Sequence, residues 1–207
     1  MKFGLLLYEG VEPIDLATIG VVSMARRIIP ELEYLTIGLD ESPVTLSNGL
    51  RVLTDFTIAD EPSLDILIVP GGPGWKAASA HEGLMNFLRS MAPRHPIASV
   101  CTGAMLLAGA GLLDGKAATT KVEVVPPEQS PLQVLQDDFP QVGAEHALIV
   151  DEGRITTGGG VSLCIDMMLY LLERDFGTDK AEQVARIIEY GSARSANRER
   201  LATIVNA

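Results

Sequence analysis

Apolar residues in this chain fall into short continuous runs separated by longer amphipathic stretches. Phe3 to Tyr8 is one such run, and Leu32 to Leu39, Leu64 to Val69 and Pro96 to Val100 are others. Runs of this length predict parallel strands covered on both faces. Helical spacing fills the intervals: Ile14 to Ile28, Gly83 to Met91, a small-residue stretch after Cys101 to about Ala110, Leu132 to Asp138, Val161 to Leu172 and Asp179 to Glu189. Asn-Gly at Asn48-Gly49 predicts a hairpin between Val44–Leu46 and Leu50–Leu53. Asp151-Glu152-Gly153 predicts a second, between His146–Val150 and Arg154–Thr157. Ala117 to Thr120 reads as a short strand, and the tail from Arg194 as a loose helix or a partner contact. Strands alternating with helices predict one α/β domain over residues 1–207, a three-layer sandwich on a mainly parallel sheet with helices on both faces.

Composition narrows the class of partner. A formal net charge of −11 on 207 residues argues against nucleic acid, which needs clustered Lys and Arg. The apolar N-terminus meets Glu9 and Glu12 too early for a signal peptide or a membrane span. Only two cysteines occur, Cys101 and Cys164. That is no disulfide framework, and it predicts a reducing, cytoplasmic compartment.

The chemistry centres on Cys101. The frame Ser99-Val100-Cys101-Thr102-Gly103 joins a strand end to a helix start with the spacing of a nucleophile elbow. A helix N-terminus there predicts a thiol shifted toward thiolate. Cys164 lies among Val161, Leu163, Ile165 and Met168 and is expected in the core. Charge developing in a reaction at Cys101 needs donors. The Thr102 N–H and the Gly71-Gly72 turn at the end of a neighbouring strand are expected to supply them. Histidine is a poor partner here: His81 and His95 fall on far-end loops and His146 opens a hairpin. Asp15, just after the first strand, is expected at the same sheet end as Cys101, with its pKa raised by burial. Glu9 and Glu12 are its competitors. Gly158-Gly159-Gly160 lacks the pattern of a phosphate loop and reads as a turn that lets the following helix approach the elbow. No Cys/His cluster has metal-ligand spacing.

These residues together resemble the ThiJ/PfpI superfamily, the glutamine-amidotransferase-like group with a flavodoxin-like fold. The resemblance is carried by Phe3 to Glu9, Asp15-Leu16, Asp65 to Gly72, the Cys101 frame, Ala110 to Thr120 and Thr157 to Asp166. Within that group the chain looks most like the isocyanide hydratase branch and the sensor domains of AraC-type regulators. The resemblance implies a cofactor-free homodimer acting on a small molecule. It implies that Cys101 attacks an isocyanide carbon to give a thioimidate, that Asp15 moves protons and that water releases an N-substituted formamide. It leaves two alternatives: a redox or ligand-sensing module, and carbonyl chemistry of the glyoxalase or deglycase kind. The chain departs from its relatives after Thr119-Thr120, where Lys121-Val122-Glu123 replaces the usual histidine and aromatic residue.

Overall fold

The computed structural model describes residues 1–206. In chain order the elements are β1 (Lys2–Leu6), α1 (Ala17–Ala25), β2 (Glu33–Gly38), β3 (Val44–Thr45), β4 (Arg51–Val52), β5 (Phe56–Thr57) and β6 (Ile66–Val69). Then come α2 (Trp75–Ser79), α3 (Glu82–Met91), β7 (Ile97–Ser99), α4 (Gly103–Gly109), β8 (Ala117–Ala118), α5 (Pro131–Asp138) and β9 (Gly143–Ala144). The last are β10 (Ile149–Asp151), β11 (Ile155–Gly158), α6 (Cys164–Phe176), α7 (Thr178–Ile187), α8 (Gly191–Arg200) and β12 (Thr203–Val205). Short 3₁₀ turns at Pro13–Leu16 and Val161–Leu163 lead into α1 and α6.

Eight strands form the central sheet in the order β12-β10-β11-β7-β6-β1-β2-β5. Every pairing is parallel except β10 with β11. The run β2-β1-β6-β7-β11 is the flavodoxin-like order, so the mainly parallel sandwich expected from the apolar runs is the fold observed. All four residues of β6 are buried, as are Phe3 to Leu6 of β1, because helices cover both faces. One helical group is α1, α6 and α7, with α8 against α7; the other is α2, α3, α4 and α5. The sequence of crossovers reverses between β1 and β6. A crevice opens there at the strand C-termini, which is where doubly wound sheets place their ligands.

Three elements differ from expectation. Residues 117–120 do not join the central sheet; β8 pairs with β9 in a two-stranded ribbon. The tail is ordered: α8 is a full helix, and β12 adds to the sheet edge beside β10. Trp75–Ser79 forms α2 directly after the glycine-rich turn. Both expected hairpins are present. No helix among the described residues is long and apolar enough to cross a membrane.

Gly20 sits exposed within α1, with nothing within 4 Å of the position a Cβ would take. Gly20→Ala is therefore expected to stabilise the protein by about 0.5–1 kcal/mol, because alanine loses less backbone entropy on entering a helix. Urea denaturation would measure it as a higher midpoint at unchanged slope.

Candidate active site

Three loops meet at the crevice. The turn after β1 brings Asp15, the turn after β6 brings Gly71 and Gly72, and the turn after β7 brings Cys101. Cys101 takes a left-handed conformation with φ of +53°, the strained geometry of a residue pushed up between strand and helix. Its N–H donates to Gly159 O at 3.0 Å, and Thr120 Oγ1 donates to its carbonyl at 2.7 Å. The triple-glycine turn thus lies against the elbow, as its composition suggested. Close packing on the other side requires glycine. A Cβ on Gly103 would stand 2.1 Å from Val69 O, and one on Gly71 would stand 2.3 Å from Thr102 N.

Asp15 is fully buried. The Gly71 N–H donates to its Oδ2 at 2.7 Å, while Oδ1 has no hydrogen-bond partner among the described residues. Burial pushes its pKa up from 3.8 to about 7; the Gly71 N–H and the Cys101 thiol oppose that rise, and the Glu12 charge adds to it. Asp15 and Cys101 therefore influence each other's protonation, and the carboxyl is poised to hold or release a proton at neutral pH.

The thiol itself behaves differently from expectation. Burial pushes Cys101 up to about 12, and the Asp15 charge adds to the rise. Backbone N–H groups of Val161 and Thr102 and the Lys121 ammonium pull it down without overcoming the desolvation. Seven-residue α4 does not outweigh the cost of placing an anion in this enclosure. The resting state is a thiol, and it can ionise only as its proton passes to a neighbour.

Thr102 and Gly72 come together with Cys101, in roles that the sequence only half suggests. The Gly72 N–H donates to Thr102 Oγ1 at 2.8 Å, and Thr102 Oγ1 donates back to Gly72 O at 3.2 Å. This corrects the expectation that Gly72 supplies an oxyanion donor: its N–H is already used in fixing the two turns together. The backbone groups that favour the charged form of the sulfur are the Thr102 N–H and the Val161 N–H. Val161 was not anticipated. It is a β-branched residue at φ of +54°, and nothing in residue type signals a left-handed valine.

The remaining candidates disperse. Glu9 Oε1 accepts from Thr45 N, and Glu12, at the cavity wall, accepts from Ile14 N and Ser47 Oγ. His81 caps α3 by accepting from Leu84 N. His95 precedes β7 at the opposite end of the sheet from Cys101. His146 lines a separate cavity of about 260 Å³ behind Lys121 and Gly160. Cys164 is buried at the start of α6, its thiol donating to Ile14 O at 3.6 Å. Among the described residues no cluster of three or more His, Cys, Asp or Glu could hold a metal ion.

A cavity of about 470 Å³ opens above Cys101. Trp75 and Pro73 wall one side. Lys121, Val124, Pro131 and Val134, from the segment that follows β8, form the roof. No histidine lines it. The arrangement can do covalent chemistry: a thiol, a buried carboxyl that titrates near neutral pH, two backbone N–H groups that favour charge on the sulfur, and a partly apolar chamber for a small molecule.

Residues 1–174 match the DJ-1/PfpI family. Isonitrile hydratase from Pseudomonas putida is 34% identical over 196 residues, covering 93% of this chain and 80% of its own length. The HTH-type transcriptional regulator GbdR from Pseudomonas aeruginosa is 31% identical over 199 residues, covering 94% of this chain. The chain spans only 52% of that regulator. Among solved structures, a ThiJ/PfpI family protein from Pseudomonas syringae superposes with a TM-score of 0.79 at 23% identity, covering 96% of this chain and 85% of that one.

Proposed function

The chain belongs to the DJ-1/PfpI family, and from that premise we propose that it is a cysteine-dependent enzyme that hydrates isonitriles to N-substituted formamides. The observation that carries this reading is the buried Asp15 carboxyl behind the elbow, electrostatically coupled to Cys101, which itself faces a cavity that no histidine lines. Hydrolytic acyl transfer by a Cys–His pair lacks its base here. Addition to an isonitrile needs what is present, a thiol and one group that both takes and returns a proton.

The steps balance as follows. The Cys101 sulfur attacks the terminal carbon of R–N≡C as the thiol proton passes to Asp15. Asp15 returns that proton to the carbon, leaving the thioimidate R–N=CH–S–Cys101. Water adds to this carbon, and a water proton reaches the nitrogen through Asp15. The C–S bond then breaks, the sulfur regains a proton, and R–NH–CHO leaves. The Thr102 and Val161 N–H groups hold the sulfur while it carries negative charge. Thr102 Oγ1, bonded both ways to Gly72, keeps the two turns in register.

A second reading, a ligand-sensing module, is favoured by the 31% identity to a transcriptional regulator. Turnover separates the two. Incubation of the wild-type protein with an alkyl isonitrile is expected to yield the formamide catalytically, with a Cys101 adduct of one isonitrile mass trapped on acid quench. A stoichiometric adduct without formamide would favour the sensor, and no adduct with any of several alkyl and aryl isonitriles would overturn the hydratase reading.

A further inference from the structure

Lys121 follows the buried pair Thr119-Thr120, and its surroundings give it a use. Thr120 is tied to the Cys101 carbonyl, so the next residue is delivered to the rim of the elbow. The Lys121 stem packs on the triple-glycine turn: a Cβ on Gly160 would come within 2.6 Å of both its Cβ and its Cγ. Its side chain is half-buried, lines the same cavity as Cys101, and donates to the Glu123 carbonyl. Among the described residues it has no carboxylate partner within ion-pair distance. Three other charged groups line the cavity. Glu12 is held by Ile14 N and Ser47 Oγ, whereas Lys76 and Glu128 are exposed at the rim. An ammonium without an ion-pair partner among the described residues, on the wall of the cavity that holds the nucleophile, is a site for an anion.

We infer that Lys121 makes the cavity selective for substrates that carry a carboxylate within a few bonds of the reacting carbon, which for the reaction proposed above means isonitriles with a carboxylate near the isocyano group. The carboxylate pairs with the ammonium while the electrophilic carbon lies over the Cys101 sulfur. The inference deepens the hydratase reading in its substrate and rests on it there, but the recognition itself can be read without it.

Iodoacetate and iodoacetamide provide that reading. They alkylate the same sulfur with the same leaving group and differ only in charge. Rates of Cys101 modification, followed by peptide mass, give their ratio. Lys121 also eases ionisation of the thiol, and this affects both reagents alike, so the ratio isolates recognition of the anion. In Lys121→Gln the iodoacetate-to-iodoacetamide ratio is expected to fall about tenfold, the loss of one charge-assisted contact. An unchanged ratio overturns the inference. The same pair of proteins is then given isocyanoacetate and its methyl ester. A wild-type preference for the acid that disappears in Lys121→Gln supports the substrate assignment, and equal turnover of acid and ester by wild type overturns it. If neither isonitrile is hydrated while the alkylation ratio still falls, the anion site stands and the hydratase reading is what fails.

Discussion

Cys101→Ala is expected to abolish formamide formation, and Asp15→Asn to lower kcat about a thousandfold, within the range lost when a positioned acid–base group is removed. Asparagine can still accept the Gly71 N–H through its side-chain oxygen, so the turns stay in place while the proton carrier is lost. The pH profile adds a sharper test. The competent state has one proton shared between Cys101 and Asp15. With Asp15 at about 7 and Cys101 at about 12, wild-type kcat/KM should rise through pH 7 and hold above it. Stability should move the other way. The folded pKa of Asp15 lies above its usual 3.8, so the folded state binds the extra proton. Its contribution is greatest below pH 4 and is lost as pH rises through 7. About three pK units set a ceiling of about 4 kcal/mol on that loss. Asp15→Asn should flatten this part of the stability curve, so the difference between variant and wild type in denaturant midpoint should grow from pH 4 to pH 8. A constant difference over that range would mean that Asp15 is not a buried, proton-holding carboxyl.

Gly103→Ala is expected to cost about 3 kcal/mol or more, near the upper end for a single substitution. The added methyl would stand 2.1 Å from Val69 O and 2.9 Å from Pro70 O. These are backbone atoms of β6 and its turn, so no side chain can swing aside. Either α4 lifts from the strand, which displaces Cys101, or β6 shifts, which displaces Gly71 and its bond to Asp15. Stability and alkylation of Cys101 by iodoacetamide should therefore change together. A variant with a wild-type denaturation midpoint would show that the approach of α4 to β6 is slack.

Much of this could be read from residue order because it rests on local rules. Buried parallel strands announce themselves as apolar runs, and an elbow as small residues on either side of a cysteine. Asp15 was reachable because a parallel sheet puts the ends of β1 and β7 on one side. What escaped depends on tertiary placement. The Val161 donor is a backbone group, made available by a left-handed turn that valine does not favour. The short helix that favours a thiolate at Cys101 is visible in sequence, and the depth of burial that outweighs it is not. Gly72 was assigned a donor role because its freedom to approach could be read, but the competing Thr102 hydroxyl could not. The edge strand β12 is three residues without periodicity, recruited by the exposed edge of β10. Lys121 is one more lysine in the sequence, and only the cavity gives it a chemical meaning.

The division of the cavity into floor and roof has a consequence for how this protein can diverge. The floor is interlocked: Asp15, Gly71, Gly72, Cys101, Thr102 and Gly103 hold one another by hydrogen bonds and by contacts that leave no room for a methyl group. A single substitution there disturbs several neighbours at once, so viable changes must arrive in combination. The roof comes from residues 121–134, the loop after β8 and the first turn of α5, and it includes exposed positions. Changes there can be accepted one at a time. Such a molecule can drift in what it recognises while staying fixed in what it does.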